Sequence, residues 1–288
     1  MKSKGQWVGA LMLAVFATAL AAQMPDGYLD VTGIRVKPEK RAEFDAISKK
    51  IADANRKNKG DTWVSYEVIY GEQNTVYFIS KRANFGAVEA GFGAFMGALS
   101  KAGGPAGMNK LLQDANDTSA STRSEIRHQR WDLTANAPAD AAGYAKLLGQ
   151  SRWARTAIIR VRPGRVADYE AQIKLNKEAQ ERANPGWGSF VSQSATGPIG
   201  VFYVTTFLKS LRDLDKIKPL AEVRGSSYAS YQKTVAETVL GTEIIIGRFL
   251  PELSNPPEDV VAADPKFWRP KPSPPPPAKP AGAADAKK

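Results

Sequence analysis

The period of apolar and polar positions changes several times along the chain, and each change marks an element. Val8 to Ala22 is an uninterrupted apolar run. Tyr28 to Lys37 is β-branched and alternating, which predicts a strand. Pro38 suits the first turn of a helix, where a missing N–H costs nothing. Phe44, Ile47, Ile51 and Ala54 then recur at helical spacing and give that helix one apolar face. Asn58 to Asp61 is turn chemistry. Thr62–Tyr70 and Thr75–Lys81 read as strands around a hairpin turn, Gly71-Glu72-Gln73-Asn74. Phe85 to Leu99, rich in Gly and Ala, predicts a closely packing helix, and Lys101 to Pro105 a loop. Arg123 to Leu133 reads as a fourth strand.

The same order returns further along. Strands are predicted at Trp153–Arg162, Trp187–Gln193, Gly200–Phe207 and Thr242–Leu250, with a helix from Arg165 to Ala183 after the first of them. Ile34-Arg35-Val36-Lys37-Pro38 aligns with Ile159-Arg160-Val161-Arg162-Pro163, 125 residues later. Trp63-Val64-Ser65-Tyr66 aligns with Trp187-Gly188-Ser189-Phe190. Val76-Tyr77-Phe78 aligns with Val201-Phe202-Tyr203, and Ser124-Glu125-Ile126 with Thr242-Glu243-Ile244. Ordered matches of this kind are the mark of an internal repeat. The expected organisation is a leader at 1–22, a first repeat at 23–134, a linker at 135–150, a second repeat at 151–255 and a non-folding tail at 256–288.

Each repeat has the βαββαβ order of the ferredoxin-like motif. The arrangement resembles the dimeric α+β barrel superfamily in a fused, two-copy form, with NIPSNAP-like proteins and antibiotic-biosynthesis monooxygenases among its members. The resemblance implies an α+β fold in which tandem ferredoxin-like repeats close into a pseudo-dimeric barrel, with helices outside. It covers about Tyr28 to Leu253 and speaks to fold more than to function.

Composition changes the picture at the two ends. Met1-Lys2-Ser3-Lys4, the apolar run and Ala19-Leu20-Ala21 have the three-part layout of a secretory signal. The run is shorter than the roughly 20 residues that cross a bilayer. The expectation is an exported protein, periplasmic or extracellular, with no membrane span once the leader is removed. The chain has no cysteine, which excludes disulfides, thiolate metal sites and cysteine nucleophiles. The formal net charge of +11 lies largely at the ends, in Lys2, Lys4 and the Pro-, Ala- and Lys-rich tail. The body keeps a mild excess of interspersed charge, so nucleic acid is not an expected partner. The tail favours polyproline II and reads as a solvated spacer or as a tether to an envelope partner.

Candidate chemistry is thin. His128 is the only histidine. It stands in the first repeat, whereas the haem branches of the superfamily hold iron through a histidine of the second. Haem is therefore not expected, one histidine makes no zinc site, and no G-x-S-x-G context supports a triad. No cofactor or metal is expected. Arg35 and Arg160 occupy matched strand positions, and alternation turns both away from the helices and into the lumen. Glu125 and Glu243 are matched on the last strand of each repeat. Two readings stay open for these four: cross-strand ion pairs, one per repeat, or a lumen that recognises an acidic or carbonyl-bearing ligand through arginine. Trp63 and Trp187 are matched as well, as packing or as stacking platforms. Asn176 stands where the first repeat has Ile51, and a polar residue on an apolar stripe needs a partner. Cofactor-free monooxygenases of the superfamily use Asn, Trp and Tyr side chains. The functional expectation is a binding protein for a small hydrophobic or acidic molecule, in or beside the barrel. The alternative is a cofactor-free oxygenase or isomerase acting on a hydrophobic carbonyl or aromatic compound.

Overall fold

The computed structural model of the chain describes residues 24, 26–183 and 186–269. The expected leader, cleavage site and most of the Pro-rich tail lie outside the described residues. Eight antiparallel strands form one closed barrel, in the order β1-β3-β2-β8-β5-β7-β6-β4. β1 (Tyr28–Val36), β2 (Val64–Tyr70), β3 (Thr75–Arg82) and β4 (Ser119–Gln129) make one half; β5 (Trp153–Val161), β6 (Phe190–Ser194), β7 (Val201–Leu208) and β8 (Val239–Phe249) make the other. Pairing of β2 with β8 and of β4 with β6 closes the ring, so no strand edge is left unpaired.

Helices cover the outside. α1 (Arg41–Lys57) and α2 (Phe85–Asp117) lie on the first half. α2 opens at Asn84, whose side chain accepts from the Ala87 N–H at 2.9 Å, a normal N-cap. The helix runs on past the loop expected at Lys101 to Pro105, broken only at Gly104, where φ is +68°. Between the halves, α3 (Ala141–Gln150) turns the expected linker into a helix. α4 (Val166–Ala183), the five-residue α5 (Leu220–Arg224) and α6 (Tyr228–Thr238) lie on the second half. Among the described residues, no helix is long and apolar enough to cross a membrane.

Alternation sorts each strand as expected. Val36 and Ile34 pack with Phe44 of α1, and Ile159 and Val161 with Tyr169 and Ile173 of α4. Their strand neighbours Arg35 and Arg160 line the lumen. Three buried groups fill the middle of the barrel: Tyr66, the Glu125–Arg127 pair and Tyr203. Tyr66 has room because β8 carries glycine beside it; a Cβ at Gly247 would stand 2.2 Å from its ring.

The chain remains folded beyond residue 255. Val260 and Val261 of α7 (Glu258–Ala263) are buried, and Trp268 of α8 (Pro265–Trp268) is fully buried with its Nε1–H on the Gly149 carbonyl at 2.8 Å. The non-folding tail expected from residue 256 is corrected to this extent. Proline-rich composition masks Val260, Val261, Phe267 and Trp268, whose apolar side chains are enough to seat the segment against α3 and the core beside it.

The strand registers refine the matched positions. Gly33 pairs with Tyr77, and Ile158, its counterpart 125 residues on, pairs with Tyr203. Tyr77 therefore corresponds to Tyr203, one place off the sequence alignment, and a one-residue slip exchanges the faces of a strand. Glu125 stands opposite Val31, while Glu243 stands opposite Ile158. The register counterpart of Glu243 is thus Arg123, which faces Gly33. Both glutamates face the lumen, but Glu125 sits one pleat deeper. Trp63 bridges to Asn255 and Ser189 to Ala135, so Trp63 corresponds to Ser189 and not to Trp187.

Candidate functional site

On the second half a cleft opens between the outer face of the sheet and the helices. Its volume is about 570 Å³. The floor is Arg155, Ala157 and Ile159 of β5 with Val204 and Thr206 of β7; Asn176 and Gln180 come from α4, and Tyr231 and Val235 from α6. Leu214, Ile217 and Leu220 form the roof, and Trp187 stands at one side. The first half is covered differently. There the 33-residue α2 lies against α1 and buries Ala98 and Leu99.

The electrostatics of the cleft are one-sided. Its walls carry Arg155 and Lys218 and no Asp or Glu. Arg155 has no carboxylate partner among the described residues, and burial pulls its guanidinium below the usual arginine value. The corresponding residue of the first half is Asp30, which Arg82 neutralises at 3.2 Å. Arg224, immediately behind the wall, is 8% exposed and also lacks a carboxylate among the described residues. Its Nη1 donates to Asn176 Oδ1 at 2.5 Å, its Nε to Ser227 Oγ at 3.3 Å, and it lies 4.8 Å from the Tyr231 ring centre. Burial pulls Arg224 down as well. The Tyr231 hydroxyl is pushed up by burial, moderated by its hydrogen bond with Asn176. Among the described residues, two further groups are buried without a partner: Trp187 Nε1 and Gln180 Oε1. Unsatisfied buried polar atoms are rare enough to require a reason.

The structure thus brings Asn176 and Trp187 to one cleft. Asn176 has its partner in Arg224. The other residues singled out from the sequence lie elsewhere, and of the two cross-strand ion pairs that are one reading of them, only one forms. Arg160 meets Glu243 at 3.8 Å across the lumen mouth. Arg35 does not meet Glu125; it pairs with Glu72 of the hairpin turn at 3.3 Å. The reason is register. Arg35 faces Ser121, four residues from Glu125 along β4, which is about 13 Å at the rise of a strand. Glu125 is held instead by Arg127 at 2.5 Å and Arg123 at 3.2 Å. Trp63 is buried, and its Nε1–H donates to the Leu253 carbonyl at 2.8 Å. His128 faces outward from β4, with Nε2 2.7 Å from Asp26 Oδ1 and its ring 5.3 Å from Tyr28. Among the described residues no three His, Asp or Glu side chains group as metal ligands would.

Arg155, Gln180, Arg224 and Tyr231 are not among the candidates that the sequence yields. One signal is available for Arg155. It faces outward between Trp153 and Ala157 on an otherwise apolar strand face, and its partner in the repeat alignment carries the opposite charge.

No protein-family model matches the chain, and no curated protein matches it. Solved structures share its fold. A Fusobacterium nucleatum protein described as a monooxygenase superposes with a TM-score of 0.50 at 10% identity, over 78% of this chain and 93% of its own. An anthrone oxidase-like protein superposes with a TM-score of 0.50 at 14% identity, over 79% of this chain and 92% of its own. Such proteins are dimeric α+β barrels, and at these identities the likeness is one of fold.

Proposed function

We propose that the cleft beneath α4, α5 and α6 is the ligand site of this protein, and that it takes a small, mainly apolar molecule with one anionic or carbonyl oxygen. Arg155 carries this reading. A guanidinium drawn out of water beside Ala157, Ile159 and Ile244, with no carboxylate lining the cleft, costs free energy. An acidic group on a ligand recovers that cost, and the apolar walls take the rest of the molecule. Trp187 Nε1 adds a second donor and Gln180 Oε1 an acceptor. The test is differential scanning fluorimetry and calorimetry with a panel of aromatic and branched carboxylates. Arg155→Gln should weaken binding by about 10- to 100-fold, the value of one charge-assisted hydrogen bond, with its melting temperature close to the parent's. Equal affinity in parent and variant would refute the assignment. Mass spectrometry of small molecules that co-purify with the parent would name the natural ligand.

The second reading is cofactor-free oxidation of an aromatic carbonyl compound in the same cleft. What favours it is Asn176 and Tyr231 on one wall, where an enolate oxygen could be held by neutral donors, with Arg224 behind them bonded to Asn176. Two fold neighbours are described as a monooxygenase and an anthrone oxidase-like protein. Oxygen uptake with anthrone- and quinol-type substrates decides it: uptake lost in Asn176→Ala supports turnover, and no uptake above blank leaves binding alone.

We further infer that the two halves descend from one duplicated ferredoxin-like unit, fused as in NIPSNAP-like chains, and that the protein is exported after cleavage near Ala22. The strand orders β4-β1-β3-β2 and β8-β5-β7-β6 support the duplication. N-terminal sequencing of protein from the periplasm and medium tests the export reading. The Pro-rich tail would then serve as a spacer or an envelope tether.

A further inference from the structure

The interior of the barrel holds a second cavity, separate from the outer cleft. The Tyr66–Arg127–Tyr203 layer divides the lumen into two chambers. The chamber at the Arg35 and Arg160 end is polar, and each of its arginines has a carboxylate. The other chamber is different. It encloses about 160 Å³, its walls include Trp63, Tyr144, Phe190 and Phe207, and α3 and α7 close it from above. An apolar cavity of about 150 Å³ holds a benzene molecule. The size and the aromatic walls suit a single six-membered ring, held by offset and edge-on contacts.

Polar groups are placed at its edges. Gln129, on β4, lines the chamber and is 5% exposed; its Oε1 is buried and has no partner among the described residues. Arg127 lies on the floor with Nε and Nη2 held by Glu125, and Nη1 is left over for a ligand. Lys81 stands at the mouth, its Nζ 5.4 Å from the Tyr144 ring centre and 5.9 Å from that of Trp131. An unpartnered acceptor asks for a donor on the ligand, and the guanidinium asks for an oxygen lone pair. A phenolic hydroxyl supplies both at one atom. The geometry points to this chamber as a binding site for a monocyclic phenol, independent of the outer cleft.

α3 and α7 form a lid over one side of the chamber, which is open at the Lys81 mouth. α3 and α7 meet closely at Gly149, where a Cβ would lie 2.4 Å from the Val260 carbonyl oxygen. The ion pair of Arg152 with Asp264 and the buried Trp268 fasten the lid at its far side.

Phenol and toluene, titrated into the full chain and followed by calorimetry and by tryptophan fluorescence, test the proposal. Gln129→Leu should weaken phenol by about tenfold, the value of one buried hydrogen bond, and leave toluene unchanged or tighter. Leucine is close in size and removes an unsatisfied acceptor, so the variant should fold. Ala145→Phe places a ring in the chamber and should abolish binding of both. Phenol affinity within twofold of the parent in Gln129→Leu would overturn the proposal. So would phenol binding that disappears with Arg155→Gln, because the ligand would then be in the outer cleft.

Discussion

Replacing Glu125 by glutamine and, separately, Glu243 by glutamine should give very different losses of stability. Glu125 and Arg127 have side chains 5% and 7% exposed. Arg127 Nε donates to Glu125 Oε1 at 2.6 Å, and its Nη2 lies 2.5 Å from the same oxygen. Removing one member of a buried ion pair costs about 3–5 kcal/mol, because the other charge is left without compensation. The lower end applies here. Glutamine keeps an oxygen for the Arg127 bonds and loses the charge and the oxygen that faces Arg123, and the Arg127 guanidinium still stacks on Tyr203, 3.4 Å from the ring centre. The expected loss is about 3 kcal/mol, or roughly 6–12 °C in melting temperature for a chain of this size. The Arg160–Glu243 pair is 3.8 Å long, with side chains 52% and 41% exposed. Exposed pairs of that length contribute about 0–1 kcal/mol, so Glu243→Gln should be nearly silent. Urea unfolding at neutral pH, followed by tryptophan fluorescence, measures both. Adding Arg127→Met to Glu125→Gln should recover stability, since it removes the stranded charge. Equal losses in the two single variants would refute the register argument that separates the two glutamates.

Two other perturbations probe the joints of the barrel. Burial alone would raise the pKa of Glu67, but hydrogen bonds from Arg248 at 2.5 Å and the contact with Arg41 at 2.8 Å outweigh it and hold the carboxyl below the usual range. A depressed folded pKa gives stability that is complete above the ordinary carboxylate value and is lost as pH falls through the folded one. Urea midpoints measured from pH 6 down to pH 3 should therefore fall more steeply in the parent than in Glu67→Gln; parallel curves would rule this out. In α2, Gly91 faces the Arg82 guanidinium, where a Cβ would lie 2.4 Å from Nη1, while Gly93 faces open space. Gly93→Ala should raise stability by about 0.5–1 kcal/mol through helix propensity. Gly91→Ala should lower it, because Arg82 must leave Asp61, which it grips with two bonds of 2.6 Å. Thermal melts of the two variants shifting in the same direction would contradict this account.

The strand pattern, the outer helices and the lumen-facing arginines are legible in the sequence because each rests on a period of two or 3.6 within one segment. The pattern places β4 too late, from Arg123, while the strand begins at Ser119. Ser119 to Ser124 is polar on both faces, since this end of the barrel opens to solvent, and polar strands carry no alternation. The Arg35–Glu125 pair is misplaced for a different reason. Matching Ser124-Glu125-Ile126 to Thr242-Glu243-Ile244 by residue type slips the strand by two, which keeps the face and so leaves no warning in the pattern. Asn176 and Trp187 stand out because they break a local rule, a polar residue on an apolar stripe and a paired tryptophan. Arg155 breaks one too, but its meaning depends on which carboxylates are absent around it, and that is a property of the folded cleft.

The asymmetry of the two halves has a cause that can be traced through the chain. The connection from β3 to β4 spans 36 residues and that from β7 to β8 spans 30. Six residues of helix cover about 9 Å. The sheets beneath are alike in strand order, and the shorter cover of the second half leaves a cleft between its roof and the outer face of the sheet. On the first half, the face under the complete cover carries Asp30, which shares the Arg82 guanidinium with Asp61. On the second, the same face carries Arg155 with no counter-charge, next to Trp187 and Gln180 with unsatisfied atoms. A folded chain that needed only stability would fill the gap with apolar side chains or pair its charge. It does so on one half and not on the other, and that contrast is what supports the proposal of a ligand in the cleft.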